Sequence, residues 1–337
     1  MSLLGNDIGI DLGTSHIRIY VKGKGLVVEE PSVAIIRNDG PRRKLKLVSI
    51  GNSALQRVNS LAVNEQLVRP IEFGIVQDNE LMVQILHALI IYAAGGTRLV
   101  KPRLFVTYPC DTSDNNKIIL RTLCNSISSR QVFLISKPIA SAYGIGLKVN
   151  DSKANLIIDI GAGTADIAVI ALGGIANSYS LDFAGNLINR EIIKQLSPNA
   201  KIEFEQAEQL KIELGTARPS KINKNYPVQT SNGFVQIYES EITPVIDMFK
   251  ESLRRAIIEV LKSMPLAMIP DVMEKGIFLT GGVSNMPGLA DYLSTEFNMN
   301  VNVSIDPDHS AITGLGNIIN SLDDIERMGR STFLEAN

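Results

Sequence analysis

Short apolar runs recur along the chain and are closed by polar or glycine residues, a pattern typical of buried strands. Two such runs, residues 156–158 and 167–170, flank a glycine-rich stretch and predict a strand, a tight turn and a second strand. Further short strands are predicted at residues 104–106, 132–135 and 277–280.

Between the strands, apolar residues recur at helical spacing, so the sequence predicts a layered α/β architecture. The helical segments are residues 78–93, 113–128, 204–214 and 239–264. Ser113 is the predicted N-cap of the second segment, and Pro244 is compatible only with the first turn of the last. A helix of small residues opens at 136–138 and runs through Ala142. Such a helix can pack closely, as a hinge region between two domains requires.

Two glycine-rich turns follow strands that end in aspartate. Their sequences are Asp11-Leu12-Gly13-Thr14-Ser15-His16 and Asp159-Ile160-Gly161-Ala162-Gly163-Thr164-Ala165-Asp166. The strand after the first turn, residues 17–22, alternates apolar and polar positions with a period of two. Glycines let the backbone approach a ligand closely, and successive N–H groups in such turns form a concave anion site. An ordinary hairpin turn is the alternative interpretation of either stretch taken alone.

Two phosphate-binding turns that face each other across a cleft would place Asp11 and Asp159 near one polyphosphate and its Mg²⁺. Mg²⁺ keeps most of its waters and uses few protein ligands, which fits this arrangement. Thr164 adds a hydroxyl, and His16 lies where it could approach a terminal phosphate, with a purely local hydrogen-bonding role as the alternative. The turns are neither P-loops nor Rossmann fingerprints, because no G-x-x-x-x-G-K-[ST] occurs and Asp166 takes the third glycine position.

The composition is that of a globular protein without a general attraction for nucleic acid. Of 337 residues, 45% are apolar and 20% charged, and the formal net charge is -2. This length allows two domains or one large domain. Cys110 and Cys124 lack metal-site spacing and are expected to be small apolar residues in a reducing compartment. The sequence has no signal peptide and no apolar run long enough to cross a membrane, so we expect a cytoplasmic protein.

Five motifs, spread over nearly the whole chain, resemble those of the superfamily that contains actin, the sugar kinases and the seventy-kilodalton heat-shock ATPases. They are IGIDLGTSHIRIYVKGKGLVVEEPSVAI, KPIASAYGIGL, DIGAGTADIAVIALGGI, AEQLKIELG and FLTGGVSNMPGL. Within the superfamily they are most similar to the MreB family of bacterial actins. Any one of these motifs alone would be weak evidence for the family, whereas their order and spacing together are highly specific.

The resemblance implies an actin-like fold, with two similar α/β halves around a nucleotide cleft and a smaller subdomain on each half. The implied boundaries are 1–32 and 66–150 with the tail 316–337 for subdomain IA, 33–65 for IB, 151–183 and 247–315 for IIA, and 184–246 for IIB. The duplicated aspartate–glycine turns fit this symmetry independently of the resemblance.

The resemblance also implies an ATP-binding cytoskeletal protein that forms filaments and hydrolyses ATP to ADP, with a role in cell shape or motility. Nucleotide binding would clamp the halves together and favour the polymerising conformation. The competing class is a soluble phosphotransferase or chaperone of the same superfamily. A sugar kinase would need a substrate-binding carboxylate and larger insertions, and a heat-shock chaperone would need a peptide-binding domain for which 337 residues leave no room.

Carried over position by position, the resemblance assigns binding and chemistry to named residues. The implied nucleotide-binding residues are Asp11, Gly13, Thr14, Ser15, His16, Gly161, Ala162, Gly163, Thr164, Glu208, Lys211, Gly281, Gly282, Val283 and Ser284. Asp11 and Asp159 would hold Mg²⁺ mainly through water from opposite walls of the cleft, and Asp159 and Thr164 also belong to the catalytic set. Glu208 and Lys211 would lie against the ribose and adenine, with a surface ion pair as the alternative.

The chain departs from the family pattern at several of these positions. The family usually has Glu-Glu-Pro where this chain has Ser136-Lys137-Pro138, so Lys137 stands at the place of the glutamate that orients or activates the attacking water. A protonated lysine has no acceptor, and we expect retained binding with weak or slow hydrolysis. A base supplied from the second turn by Asp166 is the alternative. The other departures are Ala162, Ala165, Asn186, Asn189 and Val283.

The implied partners are further copies of the chain, in a protofilament expected to be paired, and other MreB-like subunits. An apolar pair, Leu99 and Val100, lies between Arg98 and Lys101 at a loop that some MreB proteins insert into membranes. A peripheral position at the anionic inner face of the cell membrane is therefore one expectation, and packing of the pair into the protein's own core is the alternative. Residues 1–4 are too short for a convincing amphipathic helix.

Overall fold

The computed structural model describes residues 7–40, 45–95, 101–197, 200–218, 222–230 and 233–321. These residues fall into two compact units. One lies within Met1–Val149 and His309–Asn337, and the other within Asn150–Asp308. The four subdomain boundaries expected from the sequence stay predictions.

The secondary structure alternates as the sequence pattern predicts. The strands are β1 (Asp7–Leu12), β2 (His16–Val21), β3 (Gly25–Pro31), β4 (Ala34–Arg37), β5 (Lys46–Ile50), β6 (Glu65–Val68), β7 (Ile71–Glu72), β8 (Ile75–Val76), β9 (Arg103–Tyr108), β10 (Gln131–Ser136), β11 (Asn155–Ile160), β12 (Ala165–Ala171), β13 (Gly174–Leu181), β14 (Asn225–Thr230), β15 (Gly233–Tyr238), β16 (Ile277–Thr280) and β17 (Val301–Val303). The α-helices are α1 (Gly51–Gln56), α2 (Asn79–Ala94), α3 (Asp114–Ser126), α4 (Lys137–Gly144), α5 (Gly185–Leu196), α6 (Phe204–Leu214), α7 (Glu239–Ser263), α8 (Ile269–Lys275), α9 (Leu289–Phe297) and α10 (Ser310–Asn320). The four predicted helical segments correspond to α2, α3, α6 and α7.

The principal sheet of unit one has the order β10-β9-β1-β2-β3. Its β1–β2 and β2–β3 pairs are antiparallel, whereas β9 runs parallel to both β1 and β10. Strands β1, β9 and β10 therefore end at the same edge of the sheet. The smaller β5-β4-β6 sheet and the β7–β8 pair belong to the same unit.

Unit two repeats the principal sheet strand for strand. The order is β17-β16-β11-β12-β13, with β11–β12 and β12–β13 antiparallel and β16 parallel to both β11 and β17. Each strand of the first sheet thus has a counterpart in the second, and β11 corresponds to β1, β12 to β2, β13 to β3, β16 to β9 and β17 to β10. The two similar α/β halves predicted from the sequence are confirmed.

Each sheet is covered by helices and has its own apolar core. Strands β11 and β12 are buried along their whole lengths, as near-continuous apolar runs predict for strands covered on both faces. They pack with α5, α6 and α7 in unit two, while β1, β9 and β10 pack with α2 and α3 in unit one. The rigid core of each unit therefore lies directly beneath the turn that follows its central strand.

Helix α4 packs closely against α10 in unit one because glycines meet at the crossing. A Cβ atom at Gly144 would lie 1.9 Å from the carbonyl oxygen of Ser310, and one at Gly314 would lie 1.7 Å from that of Ala140. No side chain larger than hydrogen fits at either position without moving a backbone. The prediction that this small-residue helix packs closely is confirmed, and its partner is a helix of the same unit.

One local prediction is wrong, and the polar–apolar alternation of β2 is not matched by its burial. Pro244 lies in the second turn of α7, where it removes the N–H that would bond to the carbonyl of the exposed residue Ser240. The helix continues because the bond is lost on its solvent side. The polar positions of β2 do not all face solvent either, because Arg18 is buried, where its Nε donates to Glu29 at 2.8 Å.

Other local predictions are confirmed. Ser113 caps α3, and its side chain accepts a hydrogen bond from the N–H of Asn116 at 3.3 Å. Both cysteines are free thiols, and burial raises the pKa of Cys124 to about 12, as expected of a small apolar residue. Within the described ranges, no helix combines the length and the apolar character that crossing a bilayer requires.

Candidate functional site

The two aspartate–glycine turns have the same backbone hydrogen bond. The N–H of Gly13 donates to the carbonyl of His16 at 3.0 Å, and the N–H of Gly161 donates to the carbonyl of Thr164 at 2.9 Å. The turns therefore correspond position for position, and His16 holds in the first turn the place that Thr164 holds in the second. Both turns follow the central strand of a buried sheet, so a rigid core fixes their backbones.

Asp11 is held by a hydroxyl from the neighbouring parallel strand. Oγ1 of Thr107, on β9, donates to Oδ1 of Asp11, on β1, at 2.6 Å, and both side chains are buried. The register pairs Ile10 with Val106, which puts Thr107 beside Asp11 at the carboxyl edge of the sheet. The carboxylate is thereby fixed at the base of the first turn.

Asp159 is held in the same way in unit two. Its Oδ2 accepts a hydrogen bond from Oγ1 of Thr280 at 3.1 Å, and the two residues are directly paired between β11 and β16. Both are buried. Each unit thus has an aspartate at the end of its central strand and a threonine on the adjacent parallel strand that binds one carboxylate oxygen.

Sequence reasoning missed both threonines. The available signal was that Thr107 and Thr280 each directly follow an apolar strand run, at 104–106 and 277–279. A sequence pattern does not reveal which strands are neighbours, however, so it could not place these hydroxyls beside the aspartates. The strand order supplies that information.

The side chains of the first turn have different surroundings. Thr14 is buried, and its Oγ1 accepts a hydrogen bond from the N–H of Gly74 at 3.0 Å, which ties the β7–β8 turn to the first hairpin. Ser15 is exposed, and its hydroxyl lies 3.0 Å from Nδ1 of the half-buried His16. Ser15 and His16 are therefore the side chains of this turn that a ligand can reach from solvent.

Lys137 is the first residue of α4 and directly follows β10. Because β1, β9 and β10 are parallel, Lys137 lies at the same edge of the first sheet as Asp11 and Thr107. Its side chain is half-buried, whereas the preceding Ser136 is buried. The topology therefore brings the lysine and the first aspartate to one side of unit one.

The second turn is docked onto the start of α5. The N–H of Gly185 donates to the carbonyl of Gly161 at 3.1 Å, and the N–H of Asn186 donates to that of Ala162 at 2.7 Å. A Cβ atom at Gly185 would approach three groups equally. It would lie 3.2 Å from Cα of Ala162, Nζ of Lys211 and Cγ2 of Val283. The hairpin, α5, α6 and the third glycine turn thus meet around Gly185.

Lys211 and Glu208 form an ion pair on α6, in which the lysine is buried and the glutamate is partly exposed. Nζ of Lys211 lies 2.7 Å from Oε2 of Glu208 and donates to the carbonyl of Gly185 at 3.3 Å. The lysine side chain is 9% exposed and the glutamate 43%, which argues against the surface ion pair considered above. Burial lowers the pKa of Lys211, and the charge of Glu208 opposes this shift. The fully buried Asn189 also donates to Glu208.

The third glycine turn lies against the end of β11. Gly281 has φ of 83°, and a Cβ atom there would lie 2.4 Å from the carbonyl oxygen of Ile160, so only glycine fits. Its N–H donates to the carbonyl of Pro307 at 2.9 Å, and the Ser284 hydroxyl donates to the carbonyl of Thr280. The turn that contains Gly282 and Val283 is thereby fastened beside the second aspartate–glycine turn.

Thr164 and Asp166 are linked by a hydrogen bond within the second hairpin. Oγ1 of Thr164 lies 3.3 Å from Oδ2 of Asp166, and Asp166 is fully buried. A carboxylate without exposed surface is poorly placed to contact an attacking water itself. Thr164 is also buried but keeps 7% exposure, so it is the better placed of the two side chains to contact a bound water.

Each of the two aspartates, taken by itself, offers oxygen atoms of the kind that suit a hydrated magnesium ion. The described residues contain no group of three or more His, Cys, Asp or Glu side chains suited to a metal. Asp11 and Asp159 each give one oxygen to a threonine, and a carboxylate has about four lone-pair sites. Oxygen atoms of this kind can accept hydrogen bonds from the waters that Mg²⁺ retains.

The predicted membrane-contacting pair, Leu99 and Val100, lies outside the described residues, as do residues 1–4. Their surroundings therefore bear on neither the membrane hypothesis nor its alternative, and both stay predictions.

The chain is similar to known proteins over almost its whole length. The family model described as "MreB/Mbl protein" matches residues 5–327. The chain is 30% identical over 332 residues to the cell shape-determining protein MreB of Escherichia coli (strain K12), with 95% of each chain covered. Both findings agree with the family resemblance seen in the motifs.

Solved structures show the same fold. MreB5 of Spiroplasma citri, solved with ADP and with AMPPNP, has a TM-score of 0.87 in both states at 23% and 24% identity, with 96% of this chain and 99% of that chain covered. The MamK double helical filament has a TM-score of 0.77 at 19% identity, with 94% and 98% covered. The fold is therefore actin-like, and with the full-length family match and the paired aspartate turns the chain belongs to the MreB/Mbl family.

Proposed function

We propose that this chain is an ATP-binding, filament-forming bacterial actin whose ATP hydrolysis is slow. The observation that carries the proposal is the duplicated Asp–Thr arrangement, Asp11 with Thr107 and Asp159 with Thr280, at corresponding places in two sheets of the same topology. Two buried carboxylates at the base of two glycine turns suit a polyphosphate with its cation. Neither an apolar ligand nor a neutral one would need both.

In this proposal the turns bind the phosphates and the aspartates bind the hydrated cation. Backbone N–H groups of residues 14–15 and 162–163 face the phosphate oxygens, since those of Gly13 and Gly161 close the turns. Asp11 and Asp159 accept hydrogen bonds from waters on Mg²⁺, which when bound neutralises the phosphate charge. Thr107 and Thr280 hold the two carboxylates so that these contacts need no rearrangement.

The adenosine end is assigned to the groups that meet around Gly185. Glu208 has an exposed part that can accept hydrogen bonds from ribose hydroxyls, and Lys211 holds the glutamate in place from the buried side. The third turn, Gly281, Gly282, Val283 and Ser284, lies beside this pair and presents a surface to the base. Replacement of the usual glycine by Val283 adds an apolar contact there.

Slow hydrolysis follows from Lys137. The attacking water needs an acceptor that orients it, and an ammonium group has three donors and no acceptor. Loss of one positioned general base typically costs ~10²–10⁴-fold in rate, or roughly 3–5 kcal/mol of barrier. The lysine charge at the same sheet edge as Asp11 still attracts the terminal phosphate, so ATP binding is retained and favoured over ADP.

The relatives support the filament part of the proposal. MreB5 of Spiroplasma citri is bound to ADP and AMPPNP, MamK forms a double helical filament, and the Escherichia coli relative is a cell shape-determining protein. By analogy, this chain assembles with copies of itself, in paired protofilaments, and acts in cell shape or motility with other MreB-like subunits. Contact with the anionic inner face of the cell membrane through Leu99 and Val100 belongs to the same proposal.

Equilibrium binding of Mg-ATP and Mg-ADP to the full chain tests the nucleotide part. We expect both to bind, ATP more tightly, and the preference for ATP to shrink in Lys137→Glu. The competing function, a soluble phosphotransferase, predicts instead that turnover depends on an added hydroxyl acceptor. ATP binding that is undetectable in the presence of Mg²⁺ would reject both.

A further inference from the structure

Asp166 is a fully buried carboxylate with a hydroxyl on each oxygen. Oγ1 of Thr164 lies 3.3 Å from its Oδ2, and Oγ of Ser180, on β13, lies 2.6 Å from its Oδ1. Across the β11–β12 ladder the same residue is paired with Asp159. A buried carboxylate opposite another carboxylate is unfavourable by itself, and the two hydroxyl donors offset part of that cost.

The repeated fold shows which chemistry is specific to the second hairpin. The places of Thr164, Asp166 and Ser180 in unit two are taken in unit one by His16, Arg18 and Glu29. In unit one the residue paired with the aspartate is a cation. Arg18 is paired with Asp11 across the β1–β2 ladder and forms an ion pair with Glu29 at 2.8 Å. Unit two has the opposite charge at the equivalent position, with hydroxyls around it. The same scaffold therefore has two different chemical roles.

The carboxylate determines the direction of the Thr164 hydrogen bond. A carboxylate can only accept, so each hydroxyl bonded to it must donate its proton inward. Thr164 has a single hydroxyl proton, and the bond to Asp166 uses it. Every other hydrogen bond of the Thr164 oxygen is then one that it accepts, and a water bound there must donate a proton towards Thr164. Such a water has its lone pair directed away from the protein, as a nucleophile requires.

We propose that Asp166, anchored by Ser180, is a positioning residue for ATP hydrolysis that makes the Thr164 oxygen the acceptor for the attacking water. The inference rests on the proposed ATPase function. In the reaction the water oxygen bonds to the γ-phosphorus, the bond from that phosphorus to the bridging oxygen of ADP breaks, and the water protons leave with phosphate and solvent. Asp166 exchanges no proton and touches neither water nor nucleotide.

The substitution of the expected glutamate makes this arrangement more important in the present chain. With Lys137 unable to accept a hydrogen bond, Thr164 is the acceptor that the retained motif residues still offer to the water. The hydrolysis rate should therefore depend strongly on the direction of one threonine hydroxyl. In a Lys137→Glu background, where a second acceptor is restored, the dependence should be weaker.

The test compares phosphate release and ATP affinity for Asp166→Asn in the full chain. The amide keeps the shape but places an N–H₂ donor against one hydroxyl, and we expect phosphate release to fall by about 10- to 100-fold. ATP affinity should stay within about twofold, since the change affects the transition state and not binding. Ser180→Ala should give a smaller fall and Ser180→Thr little change. Ser178→Ala, on the same face of β13, is the matched control.

A double-mutant cycle gives the decisive comparison. If Asp166 acts through Thr164, Asp166→Asn costs nothing further in a Thr164→Ala background. An equal fall in both backgrounds would overturn the proposal. Phosphate release at the wild-type rate in both Ser180→Ala and Asp166→Asn would also overturn it. Should Asp166→Asn fail to fold, the contrast between Ser180→Ala and Ser180→Thr still decides.

Failure of this inference is distinguishable from failure of the proposed function. ATP that binds and is hydrolysed at a rate insensitive to Asp166→Asn defeats only the positioning role. If ATP binds but neither wild type nor Lys137→Glu releases phosphate, the hydrolysis part of the proposed function is wrong and the positioning role falls with it.

Discussion

The hydroxyl of Thr107 donates a 2.6 Å hydrogen bond to the buried carboxylate of Asp11. Thr280 has the same relationship to Asp159 in the other unit. In both units the threonine is on the parallel strand next to the central one, so the sheet itself determines where each carboxylate points. The core of each unit therefore fixes its own aspartate, Asp11 in one and Asp159 in the other.

The first prediction concerns this carboxylate pair. Asp159→Ala should weaken Mg-ATP binding or abolish turnover, because the waters on Mg²⁺ lose an acceptor. Thr280→Val, which removes only the hydroxyl, should have a smaller effect of about 1 kcal/mol. Calorimetric titration at several Mg²⁺ concentrations measures both, and ATP binding in EDTA is the control. Unchanged binding and turnover in Asp159→Ala would show that the two-turn site is wrong.

The second prediction concerns Lys137. Lys137→Glu restores an acceptor at the position where the family has glutamate. The rate of phosphate release should therefore rise by ~10²-fold or more. Steady-state phosphate release under polymerising conditions measures it. Lys148→Glu, an equal charge reversal at an exposed position of the same unit, is the control and should leave the rate unchanged. A wild-type rate typical of ordinary MreB, lowered by Lys137→Glu, would point to a base supplied from elsewhere.

The third prediction concerns membranes. Burial of Leu99 and Val100 in a bilayer gives ~3–5 kcal/mol at best, with ~1 kcal/mol for each nearby basic residue on anionic lipid. This suffices for a multivalent filament but not for a stable monomer anchor. Filaments should float with anionic liposomes, and the double variant Leu99→Ser/Val100→Ser should not. Val63→Ser, at another exposed apolar residue, is the control. Equal flotation of the double variant rejects this loop as the anchor.

The fourth prediction concerns pH and stability. Burial acts to raise the pKa of Glu29, but its bonds to Arg18 and His309 outweigh this and lower the pKa from its ordinary value of 4.5. The stabilisation is therefore present above the unfolded-state pKa and is lost as pH falls through the folded-state value. Because the Glu29 side chain is 38% exposed, solvent screens these bonds, and Glu29→Gln should lower the free energy of unfolding by only about 1 kcal/mol near neutral pH.

The difference in the free energy of unfolding between wild type and Glu29→Gln should shrink in acid. Denaturant unfolding at a series of pH values measures it. Glu259→Gln, which removes an exposed partner of Lys262 on α7, is the control and should change stability by at most about 1 kcal/mol at any pH. A Glu29→Gln difference that grew as pH fell below 4.5, the ordinary pKa of the carboxyl, would contradict the assignment of the buried Arg18 to this carboxylate.

Much of the fold could be predicted from the sequence because its signals are local. The apolar runs beside Asp11 and Asp159 and the glycines after them define both hairpins, and helical spacing defines α2, α3, α6 and α7 within a few residues. The similarity of the two turns also predicts two similar halves. These predictions need only neighbouring residues along the chain.

The missed features all depend on residues distant in sequence. Thr107 and Thr280 lie beside the aspartates only because of the strand order. Arg18 is polar in sequence but buried, because Glu29 on the next strand compensates its charge. Lys211 sits on a helix that looks amphipathic, yet its Nζ is buried against Gly185. In each case a tertiary partner overrides a local pattern.

The most direct test of the central claim is ultracentrifugal sedimentation of the full chain with Mg-ATP, Mg-ADP or no nucleotide. A nucleotide-dependent filament protein should pellet with Mg-ATP and remain in the supernatant without nucleotide. The variant Asp159→Ala should fail to pellet even with Mg-ATP. Because hydrolysis is proposed to be slow, filaments formed with Mg-ATP should persist for much longer than the nucleotide takes to bind. A wild-type chain that binds Mg-ATP yet stays in the supernatant at all concentrations would contradict the filament function and favour the soluble phosphotransferase.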